Sequence, residues 1–319
     1  MGGSSGERRS KGHLKYIKKH WLLLCMLIPG LVILIINNYI PMFGVVMAFK
    51  NFKISGNGFI DSLIKSPWAG FKNFEFFIKT PDAFTITRNT VLYNLVFIIL
   101  DLVLAVPLAM VMSQIRQKKF AKFTQTVLFL PYFMSWVVVS YLVYSLLSVD
   151  TGFINNLILK PLGIASINWY SVQKYWPFII PAAHVWKDLG YGTVIYLAAI
   201  TGINGEYYEA AALDGAGKFR QAIYITVPEL IPLMITLTLL AIGKIFNADF
   251  GLFFQVPQNS GILYPVTNVI DVYVYNALRV TGNPGMASAV GLYQATVGFI
   301  LVVTTNWIIR RRSPENALF

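Results

Sequence analysis

Apolar residues in this chain gather in long blocks separated by shorter polar segments. Blocks of about twenty residues or more stand at roughly 21–47, 89–113, 124–147, 176–201, 228–254 and 287–309. An α-helix rises 1.5 Å per residue, so about twenty residues cross a hydrocarbon core ~30 Å thick. The pattern therefore predicts an all-α chain with about six transmembrane helices, the first and fifth reaching past the core or tilting. Pro29, Pro107, Pro131, Pro181 and Pro232 fall inside or near the ends of these blocks. Membrane helices tolerate proline because neighbouring groups satisfy the freed carbonyls.

Composition agrees with that pattern. Of 319 residues only 13% are charged and 56% are hydrophobic, and mean hydropathy is +0.59. A soluble domain carries about a quarter charged residues. The net charge of +12 raises nucleic acid as a partner. The basic residues cluster at the ends of apolar blocks, however, which suits membrane orientation and no nucleic-acid role.

Counting Lys and Arg with the N-terminus inside places 15 on the cytoplasmic side and 9 outside, so both termini are expected in the cytoplasm. Arg8 to Lys19 precede the first block as in a signal peptide. The block runs on to Asn37-Asn38 without a small-x-small site, which predicts an uncleaved anchor. The single cysteine, Cys25, excludes an intrachain disulfide framework.

The expected organisation is a basic N-terminus (1–20, with Met1 to Gly6 disordered), a first membrane helix (21–50) and an extracytoplasmic interfacial segment (51–88). A five-helix core (89–312) with a cytoplasmic loop at 203–227 and a tail (313–319) complete it. Aromatic residues from Phe52 to Phe77 among lysines suit a segment lying in the interface. Trp169 and Tyr170 suit an aromatic belt.

The 203–227 loop has the chemistry of a docking helix. Glu206 and Glu209 favour a helix N-terminus, and Ala210, Ala211 and Ala212 combine high propensity with a small cross-section. Asp214 is expected to cap a second helix, with Gly215 and Gly217 permitting the bend between them. Glu209-Ala210-Ala211, then Asp214-Gly215-Ala216, then Ile225 and Pro228 resemble the EAA signature of bacterial ABC importer permeases.

Val185 to Tyr191, Gly152 to Asn156, Gly291 to Gln294 with Asn306-Trp307, and Lys244 to Gly251 resemble the carbohydrate-uptake branch. More narrowly they are similar to the group importing aldouronates and alginate. The resemblance implies the type I permease fold. It also implies that Glu209, Ala210, Ala211, Asp214, Gly215, Ala216 and Pro228 couple to an ATPase. The implied partners are a second related permease, two copies of an ABC ATPase holding ATP and Mg, an extracellular or periplasmic solute-binding protein, an oligosaccharide and membrane lipid, at the bacterial cytoplasmic membrane. No Gly-x4-Gly-Lys-Ser/Thr stretch occurs, so the chain itself is expected to be neither catalytic nor to hold a cofactor directly.

Charges inside the bilayer cost about 2.5–3.5 kcal/mol each on insertion scales and so face an interior or a watery space. Asp101, Lys187, Asp188, Lys244 and Asp249 fall there, as ion pairs between helices or as contacts to substrate. Asn247, Asp249 and Gln255, near the outer end of the fifth block, offer groups for sugar hydroxyls. Tyr132 and Trp136, four apart on an expected helix face, offer rings to sugar C–H faces or to packing. Lys244 and Asn247 are expected on one helix face. His184 and Asp188 share a face without a second catalytic motif, and three histidines with one cysteine suggest no metal site. Other readings are import of a non-sugar solute, a membrane-embedded enzyme, and an ion-coupled secondary transporter, which would show an internal repeat and discontinuous helices. Neither of those features is expected here.

Overall fold

A computed structural model describes residues 20–56, 58–280 and 282–312, without the side chains of 76–78 and 312. The basic N-terminal segment, the tail after 312 and the side chains of the interfacial residues Phe76 and Phe77 lie outside what is described. The helical run α1 (Trp21–Phe49) has no buried residue between Trp21 and Leu34, and packs against the rest of the chain through its last turns, Phe43–Phe49. Two short helices follow, α2 (Phe59–Lys65) and α3 (Lys72–Lys79). Asn73 ties α3 to the end of α1 by donating its amide to the carbonyls of Ala48 and Lys50, both at 2.9 Å. On α2 the Ser55 hydroxyl and the Lys65 ammonium hold the Asp61 carboxyl below its ordinary range.

The long helix α4 (Pro81–Ser113) begins eight residues before its apolar block. Pro81 at the first helical position and Asp82 in the first turn favour that earlier start. Next come α5 (Lys118–Phe133) and α6 (Trp136–Leu147), bent by 99° at Met134-Ser135. Pro131 tightens the last turn of α5, and Ser135 restarts the helix by accepting a hydrogen bond from Val138 N–H at 3.4 Å.

Four more elements follow: α7 (Trp176–Thr201), α8 (Gly205–Leu213), α9 (Lys218–Gly243) and α10 (Phe250–Gln255). The chain ends with α11 (Tyr264–Thr267), α12 (Ile270–Arg279) and α13 (Pro284–Arg312). α1, α4, α9 and α13 are each long and apolar enough to cross a membrane, and the bent α5–α6 pair is so when its two helices are taken together. The fourth block forms one 26-residue helix, α7, whose apolarity is lowered by His184, Lys187 and Asp188.

The fifth block is not one helix. It stops at Gly243 and resumes at Phe250, so Lys244, Asn247 and Asp249 share no helix face. Side chains from three helices satisfy the broken backbone. Asn94 donates to the carbonyls of Ile245 (2.8 Å) and Asn247 (3.2 Å), and Gln294 donates to that of Phe246 (2.7 Å). Asp271 accepts from Ala248 N–H at 2.7 Å, and Asp249 caps α10. Irregular backbone at membrane depth survives only with such partners. The expectation of unbroken helices therefore fails at 134–135 and again at 244–249.

Two buried clusters mark the two ends of the bundle. Tyr93, Trp176, Ile180, Val256 and Leu263 pack at one, and Val106, Ala109, Met112, Ile200 and Leu230 at the other. Hence α4 and α7 run side by side in the same direction, and α9 returns. Gly190 makes the α5–α7 approach possible, because a Cβ there would stand 1.9 Å from the Leu128 carbonyl oxygen.

Candidate functional site

Halfway along α7 the polar residues find one another. The His184 ring lies between two carboxylates, with Nε2 3.3 Å from Asp101 of α4 and Nδ1 3.4 Å from Asp188 one turn on. Phe97 stacks on the imidazole at 3.9 Å between centroids. Asp101 and Asp188 also line a cavity of about 180 Å³ between α4, α7 and α9, beside Tyr191, Tyr196 and Thr238. The two carboxylates thus meet the histidine, and neither meets a lysine. Asp101 keeps 45% of its side chain exposed, so this acidic wall faces open space.

Lys187 points the other way and is 8% exposed. Its ammonium donates to the Tyr132 carbonyl at 2.9 Å and lies 5.1 Å from the ring centroids of both Tyr132 and Trp136. The carbonyl is free because α5 breaks just after it. Tyr132 and Trp136 thus belong to two helices at a sharp bend, not to one face, and meet through the lysine they share. Trp136 Nε1 in turn donates to Asp249 at 2.6 Å, while the other Asp249 oxygen caps α10 by accepting from Leu252 N–H at 3.3 Å. The structure therefore joins Tyr132, Trp136, Lys187 and Asp249 in one chain of contacts linking both helix breaks. Asn247 and Lys244 are exposed beside it. Gln255, half-buried at the end of α10, makes none of those hydrogen bonds.

At the opposite end α7, α8 and α9 form an elbow. Asn204 caps α8 by accepting from Glu206 N–H at 3.0 Å. The helix closes with Ala216 N–H donating to Ala211 O at 2.8 Å and Gly215 N–H to Ala212 O at 3.1 Å, while Gly215 adopts φ of 78°. That is a Schellman closure, which calls for glycine at this position. Asp214 consequently ends α8 and does not cap a second helix; Gly217 stands before α9. Gln221, 4% exposed, donates to the Ala216 (3.1 Å) and Tyr208 (3.4 Å) carbonyls, and the Tyr208 hydroxyl meets Thr226 at 3.0 Å.

Pro228 follows a π-helical turn at Ala222–Thr226, whose widened register accommodates the missing N–H. Glu209, Ala210 and Asp214 are exposed on the elbow, and Ala211 and Ala216 are half-buried. Leu213 (90% exposed), Phe219 (77%) and Tyr224 (76%) add bare apolar surface around them. A rigid, solvent-facing elbow with acidic and apolar residues is suited to seating in a partner.

Comparison with known proteins decides the family. Residues 83–314 match the binding-protein-dependent transport system inner membrane component. The chain belongs to this family. It is the transmembrane permease subunit of an ABC importer, a multi-pass membrane protein. Protein LplB of Bacillus subtilis is 36% identical to the permease over 299 residues, covering 92% of this chain and 90% of LplB. The polygalacturonan/rhamnogalacturonan transport system permease protein YteP of the same organism is 34% identical over 313 residues, covering 97% and 94%. Among solved structures, a bacterial alginate ABC transporter in complex with an alginate pentasaccharide-bound periplasmic protein superposes with a TM-score of 0.83. Its chain is 28% identical, with 94% of the permease and 97% of that chain covered.

Several residues that shape these sites carry no motif of their own. Asn94 announces itself as a polar residue inside an apolar block, a signal that could have been read. Gln221, Tyr208 and Thr226 look ordinary in a polar loop, and Asp271 lies far along the chain from the break it fills.

Proposed function

We propose that the permease imports an oligosaccharide across a bacterial cytoplasmic membrane by alternating access. The similarity to YteP over 97% of this chain carries that reading, since YteP is named for polygalacturonan and rhamnogalacturonan transport. The alginate importer's TM-score of 0.83 supports it. A solute-binding protein delivers the sugar, and a second, related permease completes the passage. Two copies of an ABC ATPase bind ATP and Mg and dock on the elbow, on the same side as both chain termini. ATP-driven closure draws the elbows together, and rigid helices pass the motion inward.

In this reading Glu209 makes a charged contact on the ATPase, while Ala210, Ala211 and Ala216 keep the helix slim. Gly215, Asp214 and Pro228 set the angle of the elbow. The intramembrane residues Asp101, Asp188, Lys187 and Lys244 shape the wall, with Asn247, Asp249, Gln255, Tyr132 and Trp136 along the sugar's route. The test is reconstitution of the full importer with labelled oligosaccharides. Gly215→Pro, incompatible with a φ of 78°, and Glu209→Lys each abolish uptake while sugar still binds the delivering protein. Wild-type uptake in both variants refutes the coupling assignment, and no uptake of any saccharide by the wild type refutes the substrate class.

A further inference from the structure

Between α1 and α4 lies a small unit that is built inside out. α2 has seven residues, about 10 Å of helix, far too short to cross a bilayer. Its serine side is turned inward: Ser62 is 1% exposed, and Ser66, just after the helix, 5%. Both hydroxyls donate and accept. Ser62 donates to the Gly58 carbonyl at 2.7 Å and accepts from Ser55 N–H at 2.9 Å. Ser66 donates to the Ser62 carbonyl at 2.6 Å and accepts from Lys53 N–H at 2.9 Å. The isoleucines are turned outward. Ile60 and Ile64, one turn apart on one face, are 72% and 71% exposed. Buried polar residues beside exposed large apolar ones reverse the order that water imposes.

The unit is fixed to the end of a membrane helix. α1 runs for 29 residues, about 43 Å, which matches a bilayer of ~40–45 Å counted with its headgroups. Its last residue, Phe49, therefore stands at headgroup depth. Trp68 stacks on Phe49 at 6.0 Å between centroids, and Phe71 meets it edge-on at 5.6 Å. Both residues nevertheless stay open, at 68% and 74% exposed. The Phe49 carbonyl accepts from Ala69 N–H at 2.8 Å, and the Lys50 ammonium donates to the Leu63 carbonyl of α2 at 2.6 Å. Asn73 carries the attachment on to α13, where a Cβ on Gly285 would stand 2.8 Å from its side-chain nitrogen. Lysines accompany the apolar residues. Lys65 bridges to Asp61 at 2.9 Å, whereas Lys53 and Lys72, both exposed, form no salt bridge among the described residues.

The place of this unit favours lipid over the delivering protein. That protein has to release its sugar over the proposed route, and neither α2 nor the aromatic pair lines the cavity beside His184 there. The unit hangs instead from α1, whose Trp21–Leu34 stretch buries nothing. Short segments that combine exposed Trp, Phe and Ile with lysines lie in the plane of the membrane interface. We infer that residues 50–74 anchor the permease in the leaflet opposite the elbow. Ile60, Ile64, Trp68 and Phe71 enter the boundary between headgroups and acyl chains, and Lys53 and Lys72 meet lipid phosphates. The anchor holds the ends of α1 and α13 at one depth.

The test uses the complete importer in nanodiscs of phosphatidylcholine and phosphatidylglycerol. A bimane dye is attached at Ile60→Cys, Ile64→Cys or Lys72→Cys in a Cys25→Ser background, with the other subunits free of cysteine. Bromines near the headgroup end of the acyl chain quench the dyes at 60 and 64 more than bromines near its tip, and aqueous iodide quenches neither dye. Those paired readings place both dyes about 5–10 Å below the headgroups, with the dye at 72 shallower. Saturating delivering protein leaves the readings unchanged. Quenching by iodide puts the face in water, and quenching by neither agent puts it against protein; each overturns the anchor. Loss of lipid quenching on adding the delivering protein does the same. Where the variants fail to assemble, the wild-type importer is irradiated in phospholipid carrying a diazirine close to the headgroup. Labelling between Phe59 and Lys72 is expected, and its absence there overturns the inference.

Discussion

Changing Gly190 to alanine puts a methyl group into the wall of α5. On the observed backbone its Cβ would stand 1.9 Å from the Leu128 oxygen, 2.5 Å from the Leu128 carbon and 3.0 Å from the Phe129 nitrogen. All three are backbone atoms, so no side-chain rotation relieves the clash. Ordinary contact begins at 3.4 Å, which asks α5 and α7 to separate locally by about 1.5 Å. A shift of that size breaks the 2.9 Å bond from Lys187 to Tyr132 and disturbs the Tyr132–Tyr191 stack at 4.6 Å.

Overpacking costs about 1–3 kcal/mol. Stripping a buried ammonium of its carbonyl adds at least ~1–3 kcal/mol. Better helix propensity returns up to ~1 kcal/mol, so the expected net loss is about 1–5 kcal/mol. The assay is unfolding of the purified permease in nanodiscs. Gly291→Ala on α13 is the control, because nothing lies within 4 Å of its added Cβ. Gly291→Ala stays at or above wild-type stability. If Gly190→Ala also falls within ~0.5 kcal/mol of wild type, the helices yield and the steric reasoning is wrong.

Three further outcomes are expected. Trp136→Phe keeps a ring near Lys187 but removes the 2.6 Å hydrogen bond to Asp249, freeing that carboxylate; vesicle uptake falls severalfold while co-purification of the ATPase is unchanged, and loss of assembly would make the contact structural. Gln221→Leu takes away both bonds that brace the elbow, so ATP turnover in the assembled complex persists and transport per ATP drops; a parallel drop in both would show that Gln221 supports folding instead. Gln294→Leu leaves the Phe246 carbonyl unsatisfied in the break of the fifth span, lowering stability by about 1–3 kcal/mol in the same nanodisc unfolding assay. No change there would mean that water replaces the amide.

The apolar blocks were legible because the bilayer imposes one length on every crossing, and the elbow because glycine, alanine and acidic residues recur there at fixed spacing. The helix breaks were less visible. Lys244 to Asp249 read as more of a helix, since each residue is compatible with one locally. What ends the helix is the set of partners Asn94, Asp271 and Gln294, which are 151, 23 and 48 residues away from the groups they hold. Likewise Tyr132 and Trp136, expected on one helix face, stand on two helices at the bend and meet only through Lys187. Lys187 seemed destined for a carboxylate. A carbonyl released by the kink and two aromatic faces took it instead, and no pattern along one strand of sequence encodes that.

The fastening of α8 to the foot of α9 has a mechanical result. From Lys218 to Gly243 the chain is helical for 26 residues, roughly 39 Å of nearly stiff rod. In the proposed coupling, a sideways push on Leu213 would travel along this rod to Gly243, where the chain opens into the pinned, non-helical stretch. A stiff lever ending on a tethered joint would turn a small stroke at one end into a rotation at the other.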